Sequence, residues 1–361
     1  MIYYGQLMAA LSEPIPSSAT PSVPAISARW IISRGVDLAL VIGSVAAGYL
    51  YVALNLVAHV PITYLWWVWS IGFDGTHIFA TASRTYFDRE SRLGQSKLLF
   101  GSLAFFFGLG PALVLLHLTP VLALIVAVWA YYHVIRQHYG FMVLYKVKNR
   151  DLSPLDNRLD RILLGVTLIF PPFHRFLIHH PAEIGIPARF ALDRVAPIAE
   201  PILWAVVAGT IAVWVGRQIM RVRKGEPVDL PKLLLLGGVI PLHWLTFATM
   251  SWQAAVPTVT IVHNLQYHAL IWFYSRNRYS GEGVAERHGR VPRAVAGSLL
   301  TYVVMALVFS AMYRVPGFQL GKVSELAFGF FCGFGLTHYY LDSKIWRVRH
   351  DPSLRQALRM A

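Results

Sequence analysis

The chain has 361 residues, of which 56% are hydrophobic and only 14% charged, with a mean hydropathy of +0.50. A soluble domain carries about a quarter charged residues, so a water-facing globule is excluded and an integral membrane protein is indicated. The net charge of +14 sits in short loops between apolar runs, the pattern of a multi-spanning protein under the positive-inside rule and not of a nucleic-acid binder. A single cysteine, Cys332, excludes internal disulfides and thiolate-based zinc or iron–sulfur sites, and its apolar helix makes it a packing residue.

Residues 1–28 contain no Lys or Arg and carry a Pro/Ser-rich run from Pro14 to Ser27, with no apolar core before it. That is not a signal peptide. A disordered cytoplasmic tail over 1–28 is expected, followed by one multi-spanning domain over 29–361. At about 20 mostly apolar residues per span, ten segments qualify: 36–58, 62–83, 98–118, 120–145, 161–180, 195–216, 231–250, 256–275, 294–313 and 325–345. Pro171, Pro172, His174 and Arg175 interrupt the fifth, which is expected to be broken or re-entrant. The fold class is therefore all-α, a polytopic membrane bundle of about ten transmembrane helices.

Loop charges set the orientation. Arg29 and Arg34 precede the first span, and Lys/Arg clusters follow spans two, four, six, eight and ten, for example Arg217, Arg221, Arg223 and Lys224. The loops after spans one, three and seven hold no Lys or Arg, and those after five and nine only a few, including Arg175, Arg314 and Lys322. Both termini are thus expected in the cytoplasm, in a multi-pass protein of a bacterial inner (cell) membrane.

Six of the fourteen histidines fall in the cytoplasmic halves of even-numbered spans: His77, His133, His138, His263, His268 and His338. Asp74 and Asp342 accompany them. Ionisable groups at membrane depth are costly and usually functional, so six at one depth on four helices point to a shared metal site, whereas isolated ones tie helices together. His133/His138 and His263/His268 are i, i+5 pairs, about 140° apart on a straight helix. Each pair either flanks a groove and serves two metals or converges through a π-bulge. Asp74/His77 and His338/Asp342 share helical faces, as two ligands or as a ligand and its orienting carboxylate. Arg84, Tyr86, Asp88, Arg136, Gln137, Gln266, Tyr267 and Arg276 are candidates for supporting or headgroup-binding roles. His59, His117, His174, His179 and His180 read as interfacial, His243 as a marginal contributor, and His288 and His350 as members of basic loops.

Imidazole and carboxylate without thiolate suit non-haem iron, and less specifically copper, zinc or manganese. No His-Glu-x-x-His occurs to suggest zinc hydrolysis. The His-x4-His pairs and single histidines at helix ends resemble the histidine-box membrane oxygenases, the fatty-acid desaturases and hydroxylases. This chain has no His-x-x-His-His box, and its pairs lie within helices. A second resemblance, carried by Asp74-Gly-Thr-His77 and the His263/His268 pair, is to the bacteriorhodopsin-related membrane β-carotene dioxygenases. The first resemblance implies a di-iron centre held by the six histidines, and the second implies iron on a few intramembrane histidines and cleavage of a polyene. Both imply O2-dependent oxidation of a lipid or other hydrophobic substrate, the first with an electron donor as partner. The alternatives are a haem or electron-transfer protein and a transporter with a histidine-rich site.

Overall fold

The computed structural model describes residues 26–184 and 195–360, so most of the expected tail lies outside the described residues. Ile26 and Ser27, which the tail was expected to include, instead form strand β1, paired in parallel with β2 (Val228–Asp229). The described residues are 82% helical, and each of the ten expected segments falls on one long helix, the ninth after beginning on the short helix Arg290–Gly297. These are α1 (Arg34–Leu56), α2 (62–84), α4 (Ser96–Leu115), α5 (Thr119–Lys148), α6 (Pro154–His179) and α7 (Ala196–Arg223). They continue with α8 (Leu230–Thr249), α9 (Trp252–Arg278), α12 (Leu299–Gly321) and α13 (Glu325–Ile345). Short helices fill the connections: α3 (Arg89–Gly94), α10 (Val284–His288), α11 (Arg290–Gly297) and the terminal α14 (Pro352–Ala357).

Among the described residues, seven helices are long and apolar enough to cross a membrane: α1, α4, α5, α6, α7, α8 and α12. The chain is therefore a multi-pass membrane protein by length and composition. The three remaining long helices, α2, α9 and α13, are more polar, and they carry His77, His263, His268 and His338. Polarity is tolerated there because neighbours shield it: α9 alone buries His263, Asn264, Gln266 and Tyr267.

Two expectations change on contact with the structure. The fifth segment is not broken: α6 runs helically to His179, with a π-helical stretch over Phe173–His179 directly after Pro171 and Pro172. Proline removes an N–H and crowds the preceding turn, and a widened turn absorbs that without ending the helix. Arg314 is not a loop residue either. It lies inside α12 and pairs with Asp74 of α2.

Helix α13 is set against α4 by small residues. A Cβ on Gly110 would meet Gly329 O at 1.9 Å, and one on Gly333 would meet the Phe107 ring at 2.8 Å. Such close approach is how apolar helices gain contact without a hydrophobic drive, and it fixes the helix that carries His338.

Where α5 ends, α6 begins, α7 ends and α8 begins, buried charges interlock. Lys232 Nζ donates to Asp151 (2.6 Å) and Asp160 (3.2 Å), and Lys146 also pairs with Asp160. Arg217 grips Asp156 with two hydrogen bonds (2.7 and 3.0 Å), Arg221 lies 2.9 Å from Asp151, and the Trp214 indole donates to Asp160. The Lys and Arg of this end are thus partly structural, not only membrane-facing. At the same end Arg29 N donates to the Asn149 side chain, and Arg359 donates to Asn277.

Asp229, just outside α8, caps that helix by accepting from Lys232 N at 3.1 Å. Burial pushes its carboxyl up to about 6. The folded state therefore holds this proton more tightly than the unfolded chain, so stability from this group rises as pH falls through about 6 and is withheld at neutral pH. Asp229→Asn keeps a capping oxygen and removes the charge. It should stabilise the protein at pH 7 by an amount on the order of 3 kcal/mol or less, read as a higher unfolding temperature. The gap to the parent should close as pH is lowered from 6 to 4. Thermal unfolding in detergent across that range checks it; a constant gap overturns it.

Candidate metal centre

Four of the six histidines converge. One ring nitrogen from each of His77, His133, His263 and His338 lies within 4.8 Å of one from every other, and all four residues are buried. His77 Nε2 and His263 Nε2 are 3.0 Å apart. The rings pack at centroid distances of 4.4 Å (His77–His338), 4.5 Å (His77–His263) and 4.9 Å for both His133–His263 and His133–His338.

The helices arrange this locally. A π-helical stretch at Ser70–Asp74 precedes His77, and π turns recur at functional sites because they re-aim the following side chains. His133 and His263 stand near the middles of α5 and α9, deeper than the helix-end reading placed them, while His77 and His338 lie seven residues from the ends of α2 and α13. No π turn falls within the His133/His138 or His263/His268 segments, so each i, i+5 pair diverges. His133 and His263 face the centre. His138 turns toward His243 of α8 (rings 5.7 Å apart), and His268 binds Thr76 (3.0 Å) and the Tyr302 hydroxyl (2.6 Å).

A void of ≈ 20 Å³ lies at the centre, lined by the four histidines together with Asp74, Thr260 and Asn264. That is room for about one water-sized occupant. His77 Nδ1, His133 Nε2, His263 Nδ1 and His338 Nε2 are buried without a hydrogen-bond partner. Each such group costs about 1–3 kcal/mol. Four buried imidazoles around an ion-sized void fit a borderline divalent metal, for which neutral imidazole is a favoured ligand.

Asp342 supports the ring of histidines. Its Oδ1 accepts from the Thr81 hydroxyl (2.7 Å) and the Tyr267 hydroxyl (2.9 Å), and its Oδ2 lies 3.8 Å from His133 Nε2. Since Thr81 donates to Asp342, its oxygen accepts from His338 Nδ1–H at 2.8 Å. That bond selects the tautomer whose Nε2 lone pair is free. The Trp346 indole donates to Tyr267 at 3.0 Å. Asp74 lines the void, but Arg314 already holds its charge.

A second, apolar cavity of ≈ 180 Å³ adjoins the centre. Phe107, Phe309, Phe334 and Leu341 are among its walls, and Thr81 and His338 belong to both its lining and the site.

Several participants escaped sequence reading. Thr81, four residues after His77 and so on the same helical face, was the most accessible signal. His288 is buried against Asp88 (3.0 Å), not loose in a loop. Of the expected supporting residues, Tyr267 bonds Asp342, and Gln137 donates to His263 O (2.7 Å). Arg84 instead lies over the Tyr274 and Trp346 rings and donates to Ile345 O.

No known protein family matches the chain, and neither a curated protein nor a solved structure does. Functional inference therefore rests on the geometry.

The Thr81 bridge makes a direct expectation. Thr81→Val keeps the shape but removes the oxygen that orients His338, and should weaken metal affinity about 10–100-fold; Thr81→Ser should restore it. Metal retained after dialysis against a graded chelator series checks this, and equal retention in Thr81→Val refutes the orienting role.

Proposed function

We propose that the protein is a membrane metalloenzyme, with one non-haem iron held by His77, His133, His263 and His338, that carries out O2-dependent oxidation of a lipid-like substrate. The observation that carries this reading is the shared position of His338: it belongs both to the unpaired imidazole ring and to the wall of the apolar cavity. Iron in such a ligand set supplies O2 activation. The chain's residues do the rest. Asp342, Thr81 and Tyr267 hold His338 in register, the four rings confine a void of ≈ 20 Å³, and the phenylalanines of the larger cavity accept an acyl or polyene segment. Hydroxylation consumes O2, two electrons and two protons and releases water. With one cysteine in the chain and hence no internal dithiol, the electrons come from a separate donor.

One feature weighs against the haem alternative. A void of ≈ 20 Å³ ringed by four histidines leaves no room for a porphyrin at the centre. A transport reading draws on the buried, unpartnered polar groups of Asn264, His138, His243 and Thr246, of which Asn264 lines the central void and the His138 and His243 rings lie 5.7 Å apart. An enzyme retains its metal tightly, whereas a carrier releases it, so metal analysis separates the two.

Purified in detergent, the protein should contain about one iron per chain at this centre and show no haem Soret band. His→Asn at position 133, 263 or 338 can keep a hydrogen bond but not a comparable ligand. Each should strip the iron and abolish oxidation while the protein stays folded, with His138→Asn retaining metal. Full iron retention in the three variants ends this reading.

We further propose that all ten long helices span the membrane, with both termini in the cytoplasm, in a bacterial inner membrane. The alternation of loop charge supports this, as do the contacts of Arg29 and Arg359 at the end bearing the ionic network. In a Cys332→Ala background, a cysteine at the exposed position 282 should be labelled by an impermeant reagent only after cells are opened. Labelling of intact cells overturns the orientation.

A further inference from the structure

At the opposite ends of α6 and α7 from the ionic network, a second cluster of metal-binding groups comes together. His174 Nε2 and His179 Nε2 are 3.3 Å apart, and Glu200 Oε1 lies 2.5 Å from the first and 3.2 Å from the second. The two histidines are another i, i+5 pair, and this one does sit in a π-helical stretch, Phe173–His179. The i→i+5 register brings the fifth residue back over the first, so both rings face one point. The diverging central pairs, in regular α-helix, show what happens without that turn.

Hydrogen bonding alone serves this trio badly. If both imidazoles donate to Glu200 Oε1, two N–H groups point side by side into the same oxygen with their nitrogens 3.3 Å apart. Around a tetrahedral divalent ion with ligand bonds of 2.0–2.1 Å, ligand atoms stand about 3.3 Å from one another. Two of the three separations already match, and the third has partly exposed side chains on both sides with which to open. Packing of the His174 ring against Phe170 and Trp204 (centroids 5.2 and 5.6 Å) holds one ligand in place. The nearby Arg175 is turned to Glu183 (3.3 Å), so its charge is compensated.

The helix joined here is one that needs a fastening. Of the 28 residues of α7, only Val207 and Arg221 are buried. Its far end is tied by Arg217 and Arg221 to the ionic network, while its first turns have little packing.

We propose that His174, His179 and Glu200 form a second, peripheral site for a divalent transition metal of the zinc type, which clasps the start of α7 to the end of α6. The site is independent of the central histidines and of any catalytic role for them.

The test uses full-length protein in detergent, stripped with chelator and titrated with Zn2+ alone, with the central site disabled by His133→Asn and His338→Asn. One Zn2+ should bind, and His179→Asn or Glu200→Gln should weaken it by about 100-fold or more, since a lost ligand exceeds the 10–100-fold cost of losing an outer contact. Hydrogen exchange over residues 196–206 should slow on adding Zn2+, and should not slow in either variant. Should the central substitutions impair folding, the same comparison in the otherwise unaltered chain should show one Zn2+ fewer for the His179→Asn, Glu200→Gln double variant. Zinc binding that these substitutions leave unchanged, no zinc binding at all, or zinc-independent exchange in α7 overturns the clasp. A failure of the central centre would appear separately, as loss of iron with the peripheral zinc intact.

Discussion

A polar atom inside hydrocarbon must find its partner within the protein, and α9 concentrates that demand. Within six residues it places His263, Asn264, Gln266, Tyr267 and His268. Gln266 donates to Val41 O of α1, Gln137 of α5 donates to His263 O, Tyr267 donates to Asp342 of α13, and His268 joins Thr76 of α2 to Tyr302 of α12. One helix thus has specific polar ties to five others. Apolar contact could be satisfied by many arrangements of greasy helices; these directional bonds admit few. The four-histidine centre sits where those ties cross, so the fold and the site have the same origin.

The long helices were legible because each is an apolar run bounded by charges or by residues that stop a helix, and 62–84 and 325–345 came out almost residue for residue. Membrane-crossing length and polarity together distinguish seven of them, and the polar remainder are the helices that carry the central histidines, apart from α5. What stayed hidden depended on partners far away in sequence. Nothing in the local sequence marks Asp151, Asp156 and Asp160, yet Lys232 reaches Asp151 across 81 positions. Arg314 looked like a loop cation because an arginine at the end of an apolar run usually is one; Asp74 on another helix keeps it inside. Helical angle showed that an i, i+5 pair on a straight helix does not face one ion, but not whether a π turn would bring the two together or which member would face the centre. The π turn that makes such a pair converge lies at His174/His179, where no site was expected.

The centre differs from a carboxylate-rich one in its charge. Four neutral imidazoles leave a divalent ion's charge uncompensated, and in a low-dielectric bundle that charge seeks the nearest anion. Asp74 is engaged by Arg314, which leaves Asp342, with Oδ2 3.8 Å from His133 Nε2 and Oδ1 held by two hydroxyls. Asp342 is therefore placed to serve in two ways: as counter-charge to a cation held by the four rings, and through Thr81 as the group that orients the His338 ring. Carboxylate–histidine pairing of this kind, here relayed by a hydroxyl, tunes both ligand orientation and basicity.

Access to the centre follows from what lines the way in. The cavity beside His338 is walled by Phe107, Phe309, Phe334 and Leu341, with few polar groups, so water has little to bind there while an apolar chain is at home. Gly333 makes this shape possible, since any side chain at that position would occupy the space of the Phe107 ring. The same small-residue contact that draws α13 against α4 therefore also sets a wall of the cavity. His138 and His243, by contrast, each keep a ring nitrogen buried without a partner and pack against each other, and neither lines the apolar cavity, so His338 meets an apolar space on one side and the four-histidine void on the other.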